Sequence, residues 1–287
     1  MRRTYTFRDG KVLEIGTRTL IMGILNVTPD SFSDGGKWNQ LDKALFHMEE
    51  MAKDGADIID IGAESSRPGF QPMSAAEEQE RLRPFLEAVL REYPLPVSVD
   101  TFKAETAAMA ASMGVHILND IWGLQYDKEP GRMAAVAAEY GIPVVVTHNR
   151  SDADCPGNIL DDIKSFFRKS LKIAEESGIP KEHIIFDPGI GFGKSQQDNI
   201  EVLRRLSELA QIDGQEYPLL LGVSRKSFIG HFLGLPTEER LEATGAACVL
   251  GIRSGCHILR VHDVKPICRM ARMADVILGT DKHTRIP

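Results

Sequence analysis

Cysteine is scarce in this sequence: there are four in 287 residues, Cys155, Cys248, Cys256 and Cys268. None forms a CxxC pair or a short-range framework, which excludes a zinc knuckle and a disulfide-built scaffold and fits a reducing compartment. An excess of positive charge is also missing, since 34 Lys and Arg stand against 41 Asp and Glu for a net charge of −7. Nucleic acid is therefore not expected as the main partner, and any anionic ligand must be met by a local cluster. No apolar run approaches the roughly 18 residues of a membrane span. The start of the chain, MRRTYTFRDG, carries the charge of a signal peptide without its apolar segment. The expectation is a cytoplasmic protein with no membrane partner. With 43% hydrophobic and 26% charged residues, the chain can bury a full-sized core, which excludes disordered and fibrous classes.

What the sequence does contain is a rhythm. Short apolar runs recur at Leu20–Leu25, Ile58–Ile61, Val97–Val99, Val115–Leu118, Pro143–Val146, Ile184–Phe186, Leu219–Leu221 and Ile258–Leu259. Continuous rather than alternating hydrophobicity suits strands covered on both faces, as in a parallel sheet. The runs close on Asn26, Gly62, Asp100, Asn119, His148, Asp187, Ser224 and Arg260, and only the interval of 19 residues between Asp100 and Asn119 demands a short helix. The pattern predicts the α/β class: a single (β/α)8 TIM barrel forming one domain over residues 1–287. A short N-terminal β-hairpin (1–19), turning at Asp9-Gly10, would plug its lower end, with the barrel over 20–279 and a tail over 280–287. A doubly wound sheet is the rival architecture. Ser74-Ala75-Ala76-Glu77 reads as a capping box opening a helix towards Glu92, Gly178 ends one begun near Ile159, and Gly255 ends one begun near Thr237.

In such a barrel, function gathers at the C-terminal ends of the strands. Asp100, Asn119, Asp187, Lys226, Arg260 and His262 all fall there, mixing carboxylate acceptors with amide and cationic donors, a set suited to a flat heterocycle. For single members plainer roles exist: Asp187 before Pro188 can close a turn, and Arg260 can pair with Asp263 or a barrel-bottom carboxylate. The glycine-rich run Asp187–Ser195 is not a phosphate-binding P-loop, because Pro188 stands where that motif needs glycine. The segments Ser224–Gly230 and Arg260–Asp263 follow the seventh and eighth strands, where barrels commonly hold phosphate. Two polar, glycine-bearing loops, Asn26–Gly36 and Gly62–Gly69, have the make-up of lids. The first offers oxygens at Asn26, Asp30 and Asp34 that suit Mg²⁺.

These segments together resemble the dihydropteroate synthase family over nearly the whole chain. They are Gly23–Gly36, Glu64-Ser65-Ser66-Arg67-Pro68-Gly69, Ser98-Val99-Asp100-Thr101, Asn119-Asp120, Asp187–Lys194, Ser224–Gly230 and Arg260-Val261-His262-Asp263. The resemblance implies a transferase of folate synthesis, usually a homodimer, joining para-aminobenzoate to hydroxymethyl-dihydropterin pyrophosphate with Mg²⁺. It implies that Asp100, Asn119, Asp187 and Lys226 meet the pterin edge, and that Arg260 packs on its face. Arg260 with the Val261 backbone and His262 would hold pyrophosphate, and Asn26 the metal. Ser66, Arg67 and Pro68 would contact pyrophosphate and the aminobenzoate ring, Phe192 would wall that slot, Ser227 would meet the benzoate carboxylate, and Asp34 would approach the amine. The chain departs from the family at Thr147, where Met is usual, at Ser66 in place of Thr and at Ala63 in place of Gly. Alternatives are a methyltetrahydrofolate:corrinoid methyltransferase-like enzyme, a non-catalytic pterin-binding homologue, or an isomerase with Glu64 as its base. Lys194 is expected on an outward helix start, where replacement would be mild.

Overall fold

The apolar runs become strands because a parallel sheet sheathed by helices removes both faces of each strand from water. A computed structural model describes residues 1–27, 37–64, 73–151, 153 and 157–280. In chain order its elements begin with β1 (Arg3–Thr6), β2 (Val12–Ile15), β3 (Leu20–Asn26), α1 (Lys37–Lys53), β4 (Ile58–Gly62), α2 (Ala75–Glu92) and β5 (Val97–Asp100). There follow α3 (Ala104–Met113), β6 (Ile117–Asp120), α4 (Arg132–Tyr140), β7 (Val144–Thr147), α5 (Ile159–Ser177), β8 (Ile184–Asp187) and α6 (Gln196–Arg204). The chain continues through β9 (Gln211–Ile212), β10 (Gln215–Glu216), β11 (Leu220–Leu221), α7 (Ser227–Leu233), α8 (Leu241–Arg253), β12 (Ile258–Val261) and α9 (Val264–Leu278).

Eight strands pair in parallel in the order β11-β12-β3-β4-β5-β6-β7-β8. A parallel bridge between Phe186 and Leu219, with Phe186 N–H donating to the Pro218 carbonyl at 2.9 Å, joins the two ends into a barrel. The short interval after Asp100 is filled by the 10-residue α3, rich in alanine and ended by Gly114. The Ser74–Glu77 capping box opens α2, and Gly178 closes α5 as expected. The helix assigned to Thr237–Gly255 is shorter at its start. A single 3₁₀ turn covers Thr237–Glu239 and α8 begins at Leu241, because the Arg240 side chain folds back to donate to the Leu235 carbonyl at 2.9 and 3.0 Å.

The N-terminal hairpin closes the bottom. Arg3 pairs with Ile15 and Thr6 with Val12. Tyr5, Leu13 and Ile15 join Met22, Ile58, Ile117, Val145, Ile185, Leu220 and Ile258 in a separate apolar cluster inside the barrel. Arg3 donates to the carbonyls of Lys181, Glu182 and Ile184 at 2.9–3.2 Å, and Tyr5 Oη to that of Glu182 at 2.7 Å, which fixes the plug under β8. The larger core lies between sheet and helices; its Phe167 and Phe186 rings stack with centroids 3.9 Å apart.

Candidate active site

The two-residue period of a strand turns this apolar floor into a polar mouth. Two positions beyond Ile58, Ile117, Ile185 and Ile258 stand Asp60, Asn119, Asp187 and Arg260, and Val145 is followed in the same way by Thr147. Register sets these side chains against one another: Asp60 lies beside Ser98, Asp100 beside Asn119, and Thr147 beside Asp187.

Arg260 is the hub. Its Nε donates to Asp60 Oδ2 and its Nη2 to Asp100 Oδ2, each at 2.6 Å, while Asn119 Nδ2 donates to Asp60 Oδ2 at 3.0 Å. Burial works against the Arg260 charge, but the two carboxylates outweigh it and hold the guanidinium protonated beyond its usual range. One cation shared by two buried acids is too little for both, so burial and the neighbouring Asp60 push the Asp100 carboxyl up to about 7. Asp60 is wholly buried, and its Oδ1 has no hydrogen-bond partner among the described residues. An acceptor left like this is costly unless a ligand supplies the donor.

Across the mouth, Asp187 accepts the Gly189 N–H at 2.8 Å, so the turn-closing role is real, and burial raises its pKa. Burial lowers the Lys226 ammonium to about 8, and its Nζ sits 4.1 Å from the centre of the Phe192 ring. His262 N–H donates to Ser224 Oγ at 3.2 Å, and its Nδ1 lies 3.0 Å from the same oxygen. Val261 is buried in the outer core, Ser227 is the exposed first residue of α7, and Asn26 ends β3 half-buried.

The structure brings Asp100, Asn119, Asp187, Phe192, Lys226 and Arg260 together at one mouth. Arg260 does not pair with Asp263, which instead takes Arg225 Nε and Nη2 at 2.9 and 2.6 Å. Glu64 is not poised as a base, because Lys103 Nζ and the Met73 N–H, at 3.3 Å, both donate to it. Asp34, Ser66, Arg67 and Pro68 lie outside the described residues, as does Asp30. Asp60 was missed by sequence reasoning, although a lone carboxylate inside the run Ile58–Ile61 was the available signal. Lys194 departs from expectation: it is buried rather than outward.

A family model described as pterin binding enzyme matches residues 22–262. The chain is 52% identical over 262 residues to the dihydropteroate synthase of Bacillus subtilis, covering 91% of this chain and 90% of that one. The chain belongs to the dihydropteroate synthase family. To the Clostridium beijerinckii member it is 47% identical over 269 residues, covering 93% of this chain and 97% of the other. Among solved structures, a dihydropteroate synthase from Clostridium difficile in the presence of pteroic acid has a TM-score of 0.87 at 49% identity, covering 92% of this chain and 98% of that one. The Xanthomonas albilineans dihydropteroate synthase with 4-aminobenzoic acid has a TM-score of 0.89 at 35% identity, covering 97% of this chain and 99% of that one. Family members and this chain share the barrel.

Proposed function

We infer that this chain condenses hydroxymethyl-dihydropterin pyrophosphate with para-aminobenzoate, giving dihydropteroate and pyrophosphate in folate biosynthesis. The observation that carries this is the Asp60–Arg260–Asp100–Asn119 network, in which the buried Asp60 Oδ1 has no partner among the described residues. A pterin edge presents an amino group and a ring N–H as donors beside carbonyl and ring-nitrogen acceptors. Carboxylates of Asp100 and Asp187, and the free oxygen of Asp60, suit the donors; the Asn119 amide and Lys226 suit the acceptors. The Arg260 guanidinium would pack on the ring face, and with the Val261 backbone and His262 lead towards the phosphates.

The aromatic amine is a neutral nucleophile at pH 7, so little acid–base help is needed. Its lone pair forms the new C–N bond at the pterin methylene as the C–O bond breaks, pyrophosphate leaves with the electron pair, and the amine proton passes to solvent. The electron-rich dihydropterin stabilises positive charge on that carbon, which favours a largely dissociative displacement with pterin pyrophosphate binding first. Arg260, His262 and Arg67 would meet the departing charge. Phe192, Ser66 and Pro68 would line the aminobenzoate slot, Ser227 would meet its carboxylate, and Asp34 would approach the amine.

Among the described residues no group of three or more His, Cys, Asp or Glu could hold a metal ion by themselves. Asn26, at the end of β3, would hold Mg²⁺, an ion that keeps waters and takes one or two protein oxygens beside substrate phosphates. When bound, the ion would neutralise charge on the leaving pyrophosphate. The functional unit would be a cytoplasmic homodimer; Leu250 on α8 and Met273 and Ile277 on α9 are 62%, 56% and 71% exposed and offer an apolar outer face for a second copy. No helix among the described residues is long and apolar enough to cross a membrane.

The test is direct. Protein with both substrates and Mg²⁺ is expected to yield a product of dihydropteroate mass with equal pyrophosphate, lost with EDTA or when either substrate is omitted. Pterin pyrophosphate binding without product would contradict the proposal and turn attention to Thr147 and Ser66.

A further inference from the structure

The loop after β8 contains a buried cation that the chemistry above does not use. Lys194 Nζ lies 2.6 Å from His148 Nδ1, 2.9 Å from the Gly189 carbonyl oxygen, 3.1 Å from that of Phe192 and 3.4 Å from that of His148. An ammonium has three hydrogens and no acceptor, so the three shortest contacts use them all. His148 Nδ1 is then the bare acceptor, and its Nε2–H donates to Asp162 Oδ2 at 3.0 Å. Burial, which pulls His148 down to about 4, keeps this tautomer neutral near pH 7. Burial also lowers Lys194, to about 7, while the ring of acceptors favours its charged form.

The loop is pressed on the same segment at both ends. Gly189 and Gly193 have φ of +67° and +50°, and a Cβ on either would collide with the carbonyl oxygen of His148 or Arg150. Arg150 Nε donates to the Gly193 carbonyl and its Nη1 to Asp162 at 3.1 Å, closing the network. The middle of the loop is left to Lys194, and the residue whose carbonyl it grips is Phe192, whose ring covers Lys226.

We propose that Lys194 is a positioning residue for the aminobenzoate slot. From inside the loop it ties the Gly189 and Phe192 carbonyls to His148 and so fixes the Phe192 ring against Lys226. This rests on Phe192 being a wall of that slot.

The test is a double-mutant cycle in the full chain, K194M, F192A and the pair, read as KM for para-aminobenzoate, kcat and Tm. K194M and F192A are each expected to raise that KM about tenfold with kcat within about threefold of wild type, and the double variant to match F192A alone. Loss of stability alone would lower Tm without this coupling. KM effects that multiply in the double variant, or a K194M with wild-type KM beside an impaired F192A, overturn the positioning role and leave Phe192's place standing. A silent F192A overturns both. Should K194M not fold, Asp162→Asn at the half-exposed end of the same chain of bonds is expected to raise the KM in the wild-type background only; equal increases in both backgrounds overturn the proposal.

Discussion

The two ends of the barrel interior are built from the same strands and have opposite chemistry. At the bottom, Ile58, Ile117, Ile185 and Ile258 meet Tyr5, Leu13 and Ile15 of the hairpin in a dry cluster. One side-chain period higher, the same strands hold Asp60, Asn119, Asp187 and Arg260. Burial stabilises the first layer outright, at about 1.5–3 kcal/mol for each large aliphatic side chain removed from water. The second layer pays for burial with ion pairs that a hydrophobic replacement often matches in stability. Its retention of charge is explained by binding, and the two layers should therefore respond differently to substitution.

The largest effect is expected at the hub. Arg260→Met strands Asp60 and Asp100 without their cation, and leaving buried charge unpaired costs roughly 3–5 kcal/mol. Turnover should fall at least about a hundredfold, the scale of losing one electrostatic contact to a developing charge. Denaturant unfolding and steady-state kinetics check both; a stable, active variant would break the contrast from the top. From the other side, Ile15→Ala empties space in the plug, where Ile15 is fully buried. It should lose about 2–5 kcal/mol of stability while KM for both substrates stays within about twofold of wild type. A specific rise in either KM would show that the bottom shapes the site.

A smaller effect tests the shared cation through pH. Because burial raises Asp100 to about 7, the folded state holds this proton more tightly than the unfolded chain does. The group's contribution is therefore complete below the ordinary carboxylate range near 4 and is lost as pH rises to about 7. Asp100→Asn does not titrate. Its unfolding free energy minus that of wild type should climb between about pH 4 and 7 and level off above. A flat difference would mean that Asp100 is ionised throughout and that Arg260 satisfies both acids.

The barrel, the plug and most of the mouth were legible in the sequence because parallel strands buried on both faces leave unbroken apolar runs, and polar residues that end such runs stand out. Asp60 was hidden by the same logic: flanked by Ile58, Ile59 and Ile61, it reads as part of the run, although its isolation was the clue to a costly and therefore purposeful carboxylate. Lys194 was placed wrongly because Gly193-Lys194-Ser195 looks like an exposed helix start. Ser195 is in fact the N-cap, with Asp198 completing a capping box, so the residue before it is free to turn inward. The pairing of Arg260 with Asp60 and Asp100, far apart in the chain, depends on barrel closure, which periodicity cannot reveal.

The most direct test of the contrast between the two layers is calorimetric titration of hydroxymethyl-dihydropterin pyrophosphate into wild type, Asn119→Ala and Ile15→Ala. Ile15→Ala should bind as wild type does, while Asn119→Ala, which removes the amide and one of the two donors to Asp60, should bind at least about tenfold more weakly. Equal affinity in all three proteins would contradict it, because the polar layer would then not be what reads the pterin.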